Sequence, residues 1–411
     1  RGGRDTLCAS RWGRALGRRA TRGQPHLRTR AHPPSAAFAP ALSCGWVCLS
    51  VGTPPGASAR SAMRAGVRVL VLGAGFGGLE ISSILSERIG EQLELTLIDK
   101  NDSFYFGFSK LDVMFGKISA TEARHPYAQI GKKGVHFVQA SVDAIDPVAK
   151  RVTTSKGIFE ADVLVVAMGA EYDLSATPGL KESGHEFYSM EGAEKLREVI
   201  PHFTGGNIIV GVTSAPFKCP PAPSEAALLL HDYLLQKGLR EKTNINLIIP
   251  FPVPIPPSPD SSKVLILSFA ERGITFIPNR RVRHIDSARK AAVLDDGTEL
   301  PFDLFLGIPK HVAPKAVLES GLAENGWIPV DRKDLQTKFP DVYSVGDVTS
   351  VGTPKAGVQL IGRHSRGLHR RVINIVNAQL NTFIHMVHHG LRVIGCHHHQ
   401  IVFCRMQILQ R

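Results

Sequence analysis

An apolar run, Val67–Leu72, leads directly into Gly73-Ala74-Gly75-Phe76-Gly77-Gly78, and few folds accommodate that junction. The residues beyond it, Leu79-Glu80-Ile81-Ser82-Ser83-Ile84-Leu85, read as a helix. A strand, a glycine turn and a helix in that order predict a phosphate site. Gly73 permits the tight turn, Gly75 lets the backbone approach a pyrophosphate, and Gly78 lets helix and strand pack closely. The N-terminus of that helix then faces the phosphates with unpaired N–H groups and a positive dipole end. A second strand, Leu93–Ile98, ends in Asp99, 26 residues after Gly73, and Lys100 follows it. An acid at that spacing accepts hydrogen bonds from the ribose hydroxyls of an adenosine. The pattern predicts the opening of a dinucleotide-binding α/β module.

Two later segments, about 140 residues apart, look alike. One runs Gly134-Val135-His136-Phe137-Val138, then Ile145-Asp146, Gly157 and Asp162-Val163-Leu164. The other runs Gly273-Ile274-Thr275-Phe276-Ile277, then Ile285-Asp286, Gly297 and Asp303-Leu304-Phe305. Each predicts a buried strand, a hairpin with a glycine turn and a strand returning to the sheet. Asn207-Ile208-Ile209-Val210-Gly211 precedes the second copy and predicts the first strand of its own βαβ unit. The expected fold class is therefore α/β, with two Rossmann-like modules, the second inserted into the first.

The net charge of +13 bears on partners only once it is located. Residues 1–62 carry +9 and residues 359–411 carry +7, which leaves −3 for residues 63–358. A nucleic-acid partner is therefore not expected, because binding it needs a basic stripe on the folded surface. Only Cys219 falls in the core, so no disulfide framework is expected there. No run of about 18 apolar residues predicts a membrane span. The leader, 1–62, reads either as a mitochondrial transit peptide or as translated upstream sequence with the true start at Met63. The tail, 359–411, holds eight of the 17 histidines, with Cys396 and Cys404 nearby. Adjacent histidines point in different directions and no carboxylate is at hand to orient them. The tail is expected to be a misread or truncated C-terminus, with no metal site.

Three motifs in order carry a resemblance to a known family. They are Gly73–Gly78 with Asp99, Asp162-Val163-Leu164-Val165-Val166-Ala167-Met168-Gly169-Ala170, and Val342-Tyr343-Ser344-Val345-Gly346-Asp347-Val348. The chain resembles the flavin-dependent pyridine nucleotide-disulfide oxidoreductases, and within them the sulfide:quinone oxidoreductase and flavocytochrome c sulfide dehydrogenase branch. The resemblance spans about residues 67–358. It implies FAD as cofactor, held by Gly73, Gly75, Phe76, Gly77, Gly78, Asp99, Lys100, Ala167, Gly169, Gly346 and Asp347. Asp347 would take the ribityl and phosphate region. A strand ending in Gly-Asp also places a carboxylate at the C-terminal sheet edge, where ligands of open α/β folds bind. The implied domains are residues 63–184 and 309–358 as the FAD-binding module, and residues 185–308 as the second.

The second module departs from the pattern. After Gly211 comes Val212-Thr213-Ser214-Ala215-Pro216-Phe217-Lys218-Cys219-Pro220-Pro221-Ala222-Pro223-Ser224-Glu225, without further glycines. That argues against a tight nicotinamide site. The loop is similar to the cysteine-bearing loop of the sulfide-oxidising branch, which implies catalytic roles for Cys219 and Lys218. A cysteine beside Lys218 and just before a helix is expected to have a lowered pKa. The helix is expected to start near Ser224 as N-cap and run through Ala226–Leu235. The branch uses two cysteines, and Thr349 stands after Gly346-Asp347-Val348 here. The aromatic loop Ser103–Lys110 reads equally as a flavin or quinone lining and as core packing. Pro250–Pro257 reads as an extended connector at the mouth of an acceptor site, being too proline-rich for a central strand. Beyond Pro354–Val358, the stretch Gln359–Gly367 loses the helix expected beside the flavin.

The expected function is an FAD-dependent oxidoreductase passing electrons from a sulfide or thiol-like donor to a quinone-like acceptor. The alternatives are an NAD(P)H:quinone-type reductase, as in type II NADH dehydrogenases, and a catalytically impaired flavin-binding protein. A cytoplasmic or peripheral-membrane location is expected, mitochondrial if the leader is a transit peptide, and a homodimer is compatible with the family.

Overall fold

The computed structural model describes residues 67–90, 93–352 and 354–355. The leader, the tail and its histidines lie outside these residues, as do Gly357 and Val358.

Five strands form the first sheet, in the order Val342–Ser344, Val163–Val166, Arg68–Leu72, Glu94–Asp99, Val135–Gln139, every neighbour pair parallel. Side chains alternate across a strand, so each run feeds two cores. Val69, Val71, Leu95, Leu97, Val163 and Val165 pack on one face with Ile81 and Leu85 of helix Phe76–Ile89. Leu70, Leu72, Ile98, Leu164 and Val166 pack on the other. A parallel sheet covered on both faces explains why these strands read as continuous apolar runs.

The second sheet has the order His185–Glu186, Leu304–Ile308, Gly206–Val212, Thr243–Ile249, Ile274–Pro278, again parallel throughout. Helices Ala222–Gln236 and Pro259–Glu271 connect its strands. The repeat seen in the sequence has a structural counterpart. Each sheet gives rise to a three-stranded antiparallel sheet: Val142–Asp146, Arg151–Thr154, Gly157–Glu160 in one, and Val282–Asp286, Ala291–Leu294, Glu299–Pro301 in the other. Both have the same irregularity, a register shift between Val142 and Ala144 and between Val282 and His284. The expected hairpin is thus a three-stranded meander.

One helix start differs from expectation. The helix begins at Ala222 with Pro221 as N-cap, and Ser224 makes no capping bond. Prolines at the helix start fix φ and lack the N–H that would otherwise need a partner, which moves the start upstream of the serine. Pro250–Pro257 forms no strand, as expected, and leads into helix Pro259–Glu271. Among the described residues no helix is long and apolar enough to cross a membrane.

Candidate active site

The glycine turn lies at the carboxyl edge of the first sheet. Gly73, at φ +95, donates its N–H to the Ile98 carbonyl at 2.7 Å, and a Cβ there would meet the Ala167 carbonyl oxygen at 2.4 Å. A Cβ on Gly78 would lie 1.8 Å from the Gly73 carbonyl oxygen, so helix and strand touch backbone to backbone. A Cβ on Gly77 would reach Val345 at 3.0 Å, whereas one on Gly75 would meet nothing within 4 Å. The space before Gly75 is open, and helix Phe76–Ile89 has no side-chain cap to compete for its first N–H groups.

Asp99 buttresses this turn. Its Oδ2 accepts the Ala74 N–H at 2.7 Å, and its Oδ1 accepts the Asn101 N–H at 2.8 Å. Lys100 turns to an exposed ion pair with Glu171 at 2.7 Å. Phe76 packs edge-on against Phe104 at 5.0 Å and against Phe106 at 6.0 Å. The aromatic loop therefore divides: Phe104 is core, and Phe108 stands 59% exposed.

The third motif reaches the same edge. Ser344 donates its hydroxyl to the Val166 carbonyl at 2.9 Å, and the Val345 N–H donates to the same oxygen at 3.0 Å, so Gly346-Asp347 and Ala167 leave the sheet from neighbouring strand ends. Asp347 Oδ1 is buried without a hydrogen-bond partner. Burial pushes its carboxyl pKa up, against the nearby Lys218 and Lys355 ammonium groups. Lys355 Nζ donates to the Thr349 carbonyl at 3.0 Å and to that of Asp347, and lies 3.4 Å from the Trp327 ring centroid.

The cysteine loop is tied to this segment by backbone. The Cys219 N–H donates to the Lys355 carbonyl at 2.7 Å, and Lys218 and Lys355 form a parallel bridge. Cys219 has φ +50, in the left-handed region that a β-carbon disfavours. Cys219 is exposed as a residue, yet surrounding protein desolvates its thiol enough to raise the pKa, with Glu225 the next cause. This reverses the expectation of a lowered pKa. Lys218 is the smallest of the influences, because its Nζ turns away to the Tyr172 ring at 4.6 Å and the Ala170 carbonyl at 3.3 Å.

Around Lys218 lies a buried group that local sequence spacing does not reveal. Tyr172 and His311 face each other across the antiparallel pair Glu171–Asp173 and Lys310–Val312. Their rings meet edge-on at 5.0 Å, and Tyr188 meets His311 at 5.3 Å. His311 is 3% exposed, with Nδ1 on the Pro309 carbonyl at 2.8 Å and Nε2 without a partner. Since a carbonyl only accepts, Nδ1 carries the proton. Burial, then Lys218, holds its pKa near 3. Lys110 donates to the Tyr188 carbonyl, and burial, then Lys218, lowers its pKa to about 8. Among the described residues no group of His, Cys, Asp and Glu could hold a metal ion.

The comparisons agree with this architecture. Residues 67–211 and 241–379 match the family described as pyridine nucleotide-disulphide oxidoreductase. The chain belongs to that family. Among pyridine nucleotide-disulphide oxidoreductases, the mouse mitochondrial sulfide:quinone oxidoreductase is 26% identical over 304 residues, covering 70% of this chain and 66% of that protein. A type II NADH:quinone oxidoreductase of Staphylococcus saprophyticus is 37% identical over 131 residues, 31% of this chain and 33% of that one. In structure, the sulfide:quinone oxidoreductase of Aquifex aeolicus gives a TM-score of 0.69 at 23% identity, over 76% of this chain and 78% of that one.

Proposed function

We propose that this protein is an FAD-dependent oxidoreductase in which a small sulfide or thiol-like donor acts at Cys219 and a quinone-like compound accepts the electrons. The observation that carries the reading is the tie between Cys219 and Lys355, whose ammonium group rests on the Asp347 backbone. It joins the thiol loop to the segment proposed to hold the flavin.

The residues present fit FAD. Open space before Gly75 and an uncapped helix start suit a pyrophosphate. The unpartnered Asp347 Oδ1 suits a hydroxyl-bearing chain, since a buried acceptor without a donor is costly. Asp99 accepts three hydrogen bonds, from the Ala74 N–H and from the backbone and side-chain amides of Asn101, and retains one lone pair on Oδ2 for a ribose hydroxyl. Lys100, occupied with Glu171, contributes at most its backbone. Strand order supports the second module's being inserted into the first. Val342–Ser344 completes the first sheet, and every strand of the second sheet falls within residues 185–308.

FAD, when bound, supplies the two-electron acceptor. The chain's own part is to place the donor and manage charge. Burial, and after it the charge of Glu225, hold the Cys219 thiol in its protonated form. Lys110, Lys218 and Lys355 supply a positive field, which favours negative charge developing between the modules.

The local likeness to type II NADH:quinone oxidoreductases favours a second donor, NADH. Two features of the second module weigh against it. A Cβ on Gly211 would meet Val282 at 2.9 Å and Phe305 at 3.1 Å, so that glycine serves sheet packing. Strand Thr243–Ile249 ends in Ile249-Pro250, where the first module has Asp99. An anaerobic visible absorbance titration separates the readings. Bleaching by sulfide that disappears in Cys219→Ser is expected, whereas bleaching by NADH alone refutes the role of the thiol.

A further inference from the structure

The peptide group between Lys218 and Cys219 is held at both of its polar atoms. Its carbonyl accepts the Tyr188 hydroxyl at 3.0 Å, and its N–H donates to the Lys355 carbonyl at 2.7 Å. Cys219, just beyond this peptide group, has the φ of +50 that a β-carbon disfavours. Turning the peptide group over changes the ψ before it and the φ after it together, which would carry Cys219 out of that region. The same rotation would break both hydrogen bonds. The strained backbone at the thiol therefore persists because its surroundings over-determine it.

Tyr188 is fixed before its hydroxyl reaches Lys218, 30 residues further along the chain. It is 6% exposed, and its ring meets His311 edge-on at 5.3 Å. Its N–H donates to Glu186 Oε2 at 2.6 Å, and its carbonyl accepts the Tyr172 hydroxyl at 3.0 Å and the Lys110 ammonium. Burial, then the charge that Cys219 carries as a thiolate, holds the Tyr188 pKa well above the ordinary phenol value, so the hydroxyl remains a donor. Tyr172 reaches the same loop differently. Its ring lies under the Lys218 ammonium at 4.6 Å, and its hydroxyl goes to the Tyr188 carbonyl.

The geometry points to Tyr188 as the positioning residue of Cys219: its hydroxyl locks the Lys218–Cys219 peptide group and so holds the thiol beside Lys355. The inference rests on the reading of Cys219 as the thiol that reacts with the donor. Tyr188 touches no reacting atom and acts through this one peptide group. Without its hydroxyl the peptide group is free to turn, and the thiol leaves its desolvated setting.

The test compares Tyr188→Phe with Tyr172→Phe. Each removes one oxygen and keeps the ring, and both proteins should melt within a few degrees of wild type. Only the first touches the Lys218 carbonyl. For alkylation, both are made in the full chain with Cys8, Cys44, Cys48, Cys396 and Cys404 replaced by serine. Tyr188→Phe should lower the half-point of the iodoacetamide rate against pH toward the ordinary thiol value, and speed alkylation at neutral pH. In the flavin-loaded protein it should slow anaerobic flavin bleaching at saturating sulfide about tenfold, with the half-saturating sulfide concentration within about twofold of wild type. Tyr172→Phe should change both readouts less. An unchanged alkylation profile in Tyr188→Phe, or a change matched by Tyr172→Phe, overturns the proposal. Alkylation requires neither sulfide nor turnover, so it decides the role of Tyr188 even where sulfide fails to bleach the wild type and the donor reading falls.

Discussion

Lys355 offers a direct test of the electrostatics between the two modules. It is 9% exposed, and burial lowers its pKa from 10.5 to about 8, with Asp347 opposing the fall and Lys218 assisting it. A fall of that size corresponds to roughly 3 kcal/mol of penalty on the charged form. The sign follows from proton binding. Between pH 8 and 10.5 the unfolded chain holds the Lys355 proton more firmly than the folded chain does, so stability rises with pH through that window. Below about pH 8 the penalty is fully present. Lys355→Met removes this titration. The stability of the wild type relative to the variant should therefore rise by about 2 to 3 kcal/mol between about pH 7.5 and about pH 10. Denaturant unfolding of both proteins at several pH values measures it. Cys219, with its raised pKa, pulls stability the other way as pH rises, but it is present in both proteins and cancels in the difference. A difference that stays constant within about 0.5 kcal/mol across the range would refute the assignment of a buried ammonium at this position.

Other consequences are as direct. Gly78→Ala forces a Cβ to within 1.8 Å of the Gly73 carbonyl and should abolish flavin retention, read as the flavin-to-protein absorbance ratio after purification. Asp347→Asn keeps the size of the side chain but exchanges one buried acceptor for an amide. Flavin release should accelerate about tenfold while the apo form melts within a few degrees of wild type. The raised thiol pKa predicts that Cys219, made the sole cysteine by replacing Cys8, Cys44, Cys48, Cys396 and Cys404 with serine, alkylates slowly at neutral pH. Its iodoacetamide rate should climb to a half-point above 9, and a half-point below the ordinary thiol value contradicts the structure.

The features legible in the sequence are those set by contacts close along the chain. Gly73 and Gly78 are demanded by backbone approaches within one turn, and Asp99 follows from where the second strand ends. The N-cap lies three residues before the expected Ser224, because serine is a common cap while Pro221 and Pro223 fix the geometry of the first turn. The direction of the thiol's pKa departs from expectation for a different reason. Adjacency of Lys218 to Cys219 in sequence says nothing of where the ammonium points, and Tyr172 and Ala170 draw it away. Lys100 is likewise occupied by Glu171, 71 residues on. His311, Tyr172 and Tyr188 form a cluster only once two distant segments pair, so no spacing along the chain announces it.

The matching register shifts at Val142/Ala144 and Val282/His284 bear on descent. A slipped residue is a discrete event, and its recurrence at the same place in two meanders is the mark of a copied ancestor rather than of convergence. The loops at the ends of their corresponding strands differ, glycine-rich after Leu72 and proline-rich around Cys219 after Val212. The strand order survived because the core depends on it. One plan used twice thus ends its corresponding strands in unlike loops, so the same sheet edge can meet different chemistry in each module.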